Sequence, residues 1–310
     1  MPAPLRLPAF AHVYGVDFSG ARLAGHATWV AHLVPAGDAP DAAGGSGAAG
    51  APACELPAWE LPAWELVALD PLARLAGTAE RGPALAHLAA LVRASDRALW
   101  AFDFPFGLPL EVLPPRSGWR AHGRLVREFE GDDYGLGLEC VRRARALGGP
   151  MHVRRLTDRR ARAPFDPYHY RIIYQTFYGL RDVAGPLAAE PGTALLPFQY
   201  GRAPAARRVL VETCPASTLK RLELPHQRYK QPAGGPLTAV RRRTRRRILD
   251  GLARWVRVGD AHRRRIMRDP GGDALDAVVA ALGGAQAVRG ADHAAIARHP
   301  RFRREGHLFY

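Results

Sequence analysis

Val13-Tyr14-Gly15-Val16-Asp17 is a short apolar run that stops at an acid. The pattern returns in Ala98-Leu99-Trp100-Ala101-Phe102-Asp103 and in Val209-Leu210-Val211-Glu212. A further acidic pair, Asp273 and Asp276, opens a late helical pattern behind Gly271-Gly272. Runs of this length read as buried strands. Carboxylates gathered at buried strand ends are costly unless something positive sits among them. In open α/β sheets, ligands bind outside the carboxyl ends of the strands, so Asp17, Asp103 and Glu212 are expected to converge at one edge.

In the first run, alternation puts Val13, Gly15 and Asp17 on one face and Tyr14, Val16 and Phe18 on the other. Ser19-Gly20 is a turn signal, and 25–34 can return as a second strand, making a hairpin. Residues 35–64 read as a flexible loop of Ala, Gly, Pro, Asp and Ser, with a five-residue duplication, 55–59 and 60–64, that is a local expansion rather than a repeat fold. A third strand is expected at 65–69 and a helix at 83–94, with Leu85, Leu88, Ala89 and Val92 on one stripe. Residues 114–205 read as a mainly helical insertion, whose clearest helix is 168–183. Helices are expected at 236–258 and 273–288, and the tail 301–310 has room for a short final strand. The whole chain, 1–310, reads as one α/β domain: a mixed sheet with helices on both faces.

Composition narrows the function classes. The 310 residues are 47% hydrophobic, which suits a globular protein, and no stretch approaches the roughly 20 apolar residues of a membrane span. The first ten residues carry no long apolar core, so no signal peptide is expected. Cys54, Cys140 and Cys214 are odd in number and far apart, which points to a reduced, cytoplasmic protein rather than a disulfide framework. The spacings of a zinc site are missing. Net charge is +15, which invites nucleic acid as a partner. Yet only Lys220 and Lys230 of the 44 basic residues are lysine. In a chain this rich in Ala, Gly and Pro, GC-rich coding explains part of the arginine excess.

Each acid has a second reading. Asp17, in Gly-Val-Asp-Phe-Ser-Gly, can hold a metal or accept backbone N–H bonds from the turn after it. Asp103 lies between aromatics just before Pro105, where an unpaired carboxylate is expensive, and this favours a functional role. Glu212 can be a ligand or pair with an arginine. Asp273 and Asp276 can cap their helix and complement its dipole, but residues three apart share a face. One of them is expected to be a cap and the other, Asp276, to face the site. Together the acids call for a cation. Mg²⁺ or Mn²⁺, which prefer oxygen ligands, fit that need, and two such ions can clamp the two oxygens exchanged in a phosphodiester cleavage.

Three arginine clusters, Arg154-Arg155 with Arg159-Arg160-Arg162, Arg241–Arg243 with Arg245–Arg247, and Arg263–Arg265, can track phosphates or coat solvated helix faces. Phe165, Tyr168, Tyr170, Tyr174, Phe177 and Tyr178 can stack bases, although helical spacing favours a core role. No Gly-rich phosphate loop and no Ser-His-Asp set is evident.

In their order, Gly15-Val-Asp-Phe-Ser-Gly20, Ala101-Phe-Asp-Phe-Pro-Phe-Gly107, Val211-Glu-Thr-Cys-Pro-Ala216 and the segment opening at Asp273-Ala-Leu-Asp276 resemble domain-of-unknown-function family 429, described as predicted nucleases of RNase H-like fold. Arg155-Leu-Thr-Asp158 and Gln175-Thr176 resemble its insertion. The resemblance spans about 12–310. It implies an RNase H-like mixed five-stranded sheet, with Asp17, Asp103, Glu212 and an aspartate from Asp273/Asp276 as metal ligands. It also implies that Arg155 and Asp158 enter the site. Arg159 and Lys220 are further expected substrate contacts. The expectation is thus a Mg²⁺- or Mn²⁺-dependent nuclease acting on DNA or RNA. An actin-like ATPase or sugar kinase, reading Gly15-x-Asp-x-x-Gly20 as a phosphate loop, and a non-catalytic nucleic-acid-binding protein are the alternatives.

Overall fold

The computed structural model describes residues 7–37, 64–231 and 234–310. Their seven strands form one mixed sheet: β1 (His12–Asp17), β2 (Trp29–Pro35), β3 (Trp64–Pro71), β4 (Ala98–Asp103), β5 (Thr193–Leu195), β6 (Arg208–Glu212) and β7 (Val256–Arg257), in the order β5-β6-β4-β1-β2-β3-β7. β1, β2 and β3 pair antiparallel in sequence, while β4, β6 and β5 add parallel to β1. The hairpin and the strand at 98–103 are therefore as expected. Five strands are corrected to seven. β5 lies inside the expected helical insertion and β7 inside the expected helix 236–258. Strands of three and two residues are too short to show a period of two.

Eight helices matter for the site: α1 (Arg81–Ala94), α2 (Asp133–Ala146), α3 (Leu156–Arg160), α4 (Ile173–Tyr178), α5 (Pro215–Arg221), α6 (Ala239–Leu252), α7 (Asp260–Arg268) and α8 (Asp273–Gly290). α6 is shorter than expected, because Thr238 caps its start by accepting from the Arg241 N–H and the chain after Leu252 turns to pair with β3. α4 starts later than residue 168 and passes into a wider π-type turn, Gly179–Ala184. The second strand starts at Trp29, since Ala24–Ala27 is helical. In the tail, Leu308 makes a single parallel bridge to Glu212 rather than a strand. The loop expected at 35–64 lies, between Gly37 and Trp64, outside the described residues.

The sheet is covered on both faces, as expected. On one face Val13, Ala101 and Val211 pack with Leu275, Val278, Val279 and Leu282 of α8. On the other, Val16, Trp100 and Phe102 pack with Leu85, Leu88 and Val92 of α1 and with Phe177 and Leu180 of the insertion. The closeness of α8 depends on Gly15: a Cβ there would lie 2.0 Å from the Ala277 carbonyl oxygen and 2.4 Å from the Ala281 nitrogen. A small-residue helix against a glycine in the central strand lets two backbones approach. It carries the first turn of α8 to the end of β1.

Candidate active site

The acids meet where the parallel strands end. Asp17 and Asp103 are register partners on β1 and β4. They share the α8 face with Gly15 and Ala101, so α8 sets Asp276 and Asp273 beside them. Asp17 and Asp276 are buried, and Asp273 is partly so. A cavity of about 380 Å³ opens here, lined by Asp17, Asp103 and Asp276 together with Lys230, Tyr229 and Thr213. Phe165 and Ile172 form part of its apolar wall.

Burial and mutual repulsion dominate the electrostatics. Burial, then the neighbouring charge of Asp276 and, less, of Glu212, pushes the Asp103 carboxyl up to about 8, against the pull of Lys230 and a hydrogen bond with Asp17. Asp17 is raised well above the carboxylate range by burial and by Asp273, Asp276 and Asp103. Asp273 is raised to about 6, mainly by burial. Raised carboxyls this close to one another favour protons on some of them.

A cation stands in the cluster. Lys230 Nζ lies 2.5 Å from Asp276 Oδ2 and 3.8 Å from Asp273 Oδ1. Burial opposes its charge, but Asp276, Asp17 and Asp273 hold its pKa well above the ordinary lysine value. Tyr229 donates to Asp276 Oδ1 at 2.9 Å. The Tyr229–Lys230 segment is fixed by two arginines of α6. Arg241 Nε donates to the Lys230 carbonyl at 2.6 Å. Arg245, fully buried, donates to the carbonyls of Tyr229 (2.7 Å), Ile266 (2.6 Å), Pro270 (2.9 Å) and Asp269. Arg245 is therefore a clamp on the site's frame and not part of a phosphate track.

Asp276 lines the pocket, and Asp273 stands behind it, 3.8 Å from Lys230 Nζ. The expected cap role falls to Asp269, whose Oδ1 accepts from the Gly271 N–H (3.1 Å) and whose Oδ2 accepts from the Ala274 N–H (2.9 Å). Glu212 departs further from expectation. Its register partner is Phe102, not Asp103, which turns its side chain to the opposite face of the sheet. There Arg155, 1% exposed, grips it with both terminal nitrogens, Nη1 donating to Oε2 at 2.8 Å. The Phe106 N–H adds a third bond at 2.9 Å. Arg155 also holds Asp158, Nη2 donating to Oδ1 at 2.7 Å. Arg155, Asp158 and Glu212 line the pocket as a closed ion-paired set.

Two expected substrate contacts lie elsewhere. Arg159 is exposed and donates to the Arg154 carbonyl, while Lys220 donates to the Arg162 carbonyl at 2.7 Å. Thr213, which the sequence reading passed over, is buried at the pocket with no partner for its Oγ1. Lys230 was missed as a site residue because nothing in its loop carries a period; its signal was being one of only two lysines. Of the aromatics, Tyr168, Phe177 and Tyr178 are core, while Phe165 lines the pocket and Tyr170 is exposed. Cys214 also lines the pocket, but burial pushes its thiol up to about 12, so it is a neutral wall.

As they stand, no group of three or more His, Cys, Asp or Glu among the described residues is positioned to hold a metal ion. The aspartate oxygens are taken up by Lys230, Tyr229 and one another. The donor chemistry nonetheless fits a hard divalent cation. All four aspartates offer oxygen only, and one ammonium against four carboxylates leaves three negative charges uncompensated at full ionisation.

These features define an α/β protein with a buried acidic pocket at its parallel strand ends. Residues 195–300 match the model of the family described as Protein of unknown function (DUF429), the family that the motifs resemble. The matched segment includes Glu212, Lys230, Arg245, Asp273 and Asp276. Comparison with the curated proteins and with the solved structures found no match. No helix among the described residues is long and apolar enough to cross a membrane.

Proposed function

We propose that this chain is a Mg²⁺- or Mn²⁺-dependent phosphodiester hydrolase, a nuclease built on an RNase H-like sheet. The observation that carries the reading is the meeting of Asp17, Asp103 and Asp276 in one pocket with Asp273 beside it, the carboxyls of Asp17, Asp103 and Asp273 being raised by burial and repulsion. Strong shifts of this origin in a cleft are a mark of function. The sheet supports the fold assignment: an antiparallel run β1–β2–β3, with β4 and β6 added parallel to β1.

In this reading Asp17, Asp103 and Asp276 would hold a divalent ion, and Asp273 would add negative charge beside them. A bound ion there supplies positive charge to the phosphate and acidifies a water. The chain's own groups do the rest. Lys230, half-exposed at the pocket, would offer its ammonium to phosphate oxygens. Thr213 offers an unused hydroxyl to the substrate. The Arg155–Glu212–Asp158 set braces the pocket wall, and the exposed arginines of α6 and α7 attract the polyanion.

The actin-like ATPase or kinase reading finds less support, because a Cβ on Gly20 would meet the Tyr174 carbonyl oxygen at 2.2 Å. That turn is packed against α4 instead of open to a phosphate. The test is a panel of labelled single- and double-stranded DNA and RNA incubated with Mg²⁺, Mn²⁺ or EDTA. The proposal expects cleavage of at least one substrate with an ion and none in EDTA. Equal cleavage in EDTA, or none of any substrate, overturns it.

A further inference from the structure

Beside the acidic pocket lies a second cavity of about 370 Å³, lined by Arg160, Arg162, Ser217, Lys220, Arg221 and Tyr310. The two cavities share a wall, since Ala163 and Ala216 line the first and Arg162 and Ser217 the second. No Asp or Glu side chain lines this second cavity. None of its four cations is in an ion pair among the described residues. Their side-chain hydrogen bonds are few: Lys220 to the Arg162 carbonyl and Arg221 Nη2 to Gln286 Oε1, each 2.7 Å. Lys220 therefore keeps two free donors and the Arg160 and Arg162 guanidinia keep all of theirs. The Arg160 guanidinium sits 5.3 Å over the Phe302 ring, which steadies it.

Ser217 supplies the second, independent observation. Its side chain is 1% exposed and lines this cavity, and its Oγ has no oxygen or nitrogen partner; its one polar contact is the weakly polar Cys214 thiol. A buried hydroxyl left unused beside four unpaired cations is a donor awaiting an acceptor.

We propose that this cavity is a phosphate-binding subsite, taking a phosphate group through Arg160, Arg162, Lys220 and the Ser217 hydroxyl. That its natural phosphate belongs to the strand cleaved in the neighbouring pocket rests on the proposed function. The affinity for phosphate itself does not. Arginine grips phosphate through paired N–H bonds and lysine as a point charge, and both fit a basin without Asp or Glu side chains.

The test is calorimetric titration of the full chain with inorganic phosphate in EDTA, with a short single-stranded oligonucleotide as competitor. Wild type and Asp17→Asn are expected to bind phosphate alike. Combined Arg160→Gln and Lys220→Gln, both at exposed or half-exposed side chains, should weaken binding about tenfold or more with an unchanged circular dichroism spectrum. Ser217→Ala should weaken it several-fold without lowering the melting temperature. Displacement of phosphate by the oligonucleotide assigns the subsite to a nucleic-acid strand; binding without displacement assigns it to a free phosphate or small phosphomonoester. No saturable binding by wild type, or undiminished binding by the folded double variant, overturns the proposal. Because no cleavage is read, the subsite and the nuclease reading stand or fall separately.

Discussion

Lys230 places its ammonium 2.5 Å from Asp276 in a pocket that Asp17 and Asp103 also line, with Asp273 3.8 Å away. One of the chain's two lysines thus does for this cluster what a bound cation would otherwise do. Replacing Lys230 with Met leaves the aspartates uncompensated. In EDTA at neutral pH we expect a loss of about 1–3 kcal/mol, below the range for a fully buried pair because the Lys230 side chain is 42% exposed. Mn²⁺ should restore stability and raise the melting temperature of the variant more than that of wild type. An unchanged melting temperature in EDTA removes the neutralising role.

The raised carboxyls give the metal-free protein a definite pH dependence. Asp103, ordinarily near 3.8, titrates at about 8 in the fold, and Asp273 at about 6. Between the unfolded and folded values the folded state binds more protons, so stability falls as pH rises through that window. The buried His122 and His307, lowered to about 4 and about 3 chiefly by burial, act oppositely, losing stability as pH falls below 6.5. The clean comparison is therefore wild type against Asp103→Asn between about 6.5 and 8. Denaturant titrations should show wild type losing stability relative to the variant as pH rises. Saturating Mg²⁺ should flatten the difference, because ion binding releases the protons.

Glu212 and Asp17 should separate by their effect on folding. Arg155→Met strands Asp158 and Glu212 as buried carboxylates without a partner, and we expect a loss of about 3–5 kcal/mol in chemical denaturation. Glu212→Gln should also destabilise, by unbalancing the same set. Full stability of Glu212→Gln would remove Glu212 from the structural brace and return it to the role of ligand.

Gly15 couples the fold to the site. Gly15→Ala drives a methyl into the Ala277 carbonyl and the Ala281 amide of α8. Both contacts are backbone and neither can swing away, so the expected cost is upward of about 3 kcal/mol. A urea midpoint equal to that of wild type would show that α8 does not need this close approach.

The strand ends were legible in the sequence because an apolar run with a terminal acid is a local pattern, and β1 and β4 fall where the runs do. What joins Asp17 to Asp103 is a register between strands, and register is not local. The same limit explains Glu212: its strand was found, but pairing with Phe102 rather than Asp103 turned it to the other face and into the grip of Arg155. Asp276 lines the pocket at the small-residue helix from which it was expected to face the strand ends, whereas the cap falls to Asp269, which reaches forward over two glycines. Lys230 and Arg245 were out of reach for a related reason. Their roles arise where a patternless loop is pinned by a buried guanidinium, and an arginine run gives no sign of which member turns inward.

The most direct measurement is the cleavage rate of Asp17→Asn beside wild type in Mg²⁺ or Mn²⁺, with circular dichroism and melting curves confirming the fold. Asp17 adjoins Asp103 and Asp273 alike, so the account predicts that the variant stays folded, melts at or above the wild-type temperature in EDTA, and loses cleavage by at least about a thousandfold. A folded Asp17→Asn protein that cleaves at the wild-type rate would contradict it.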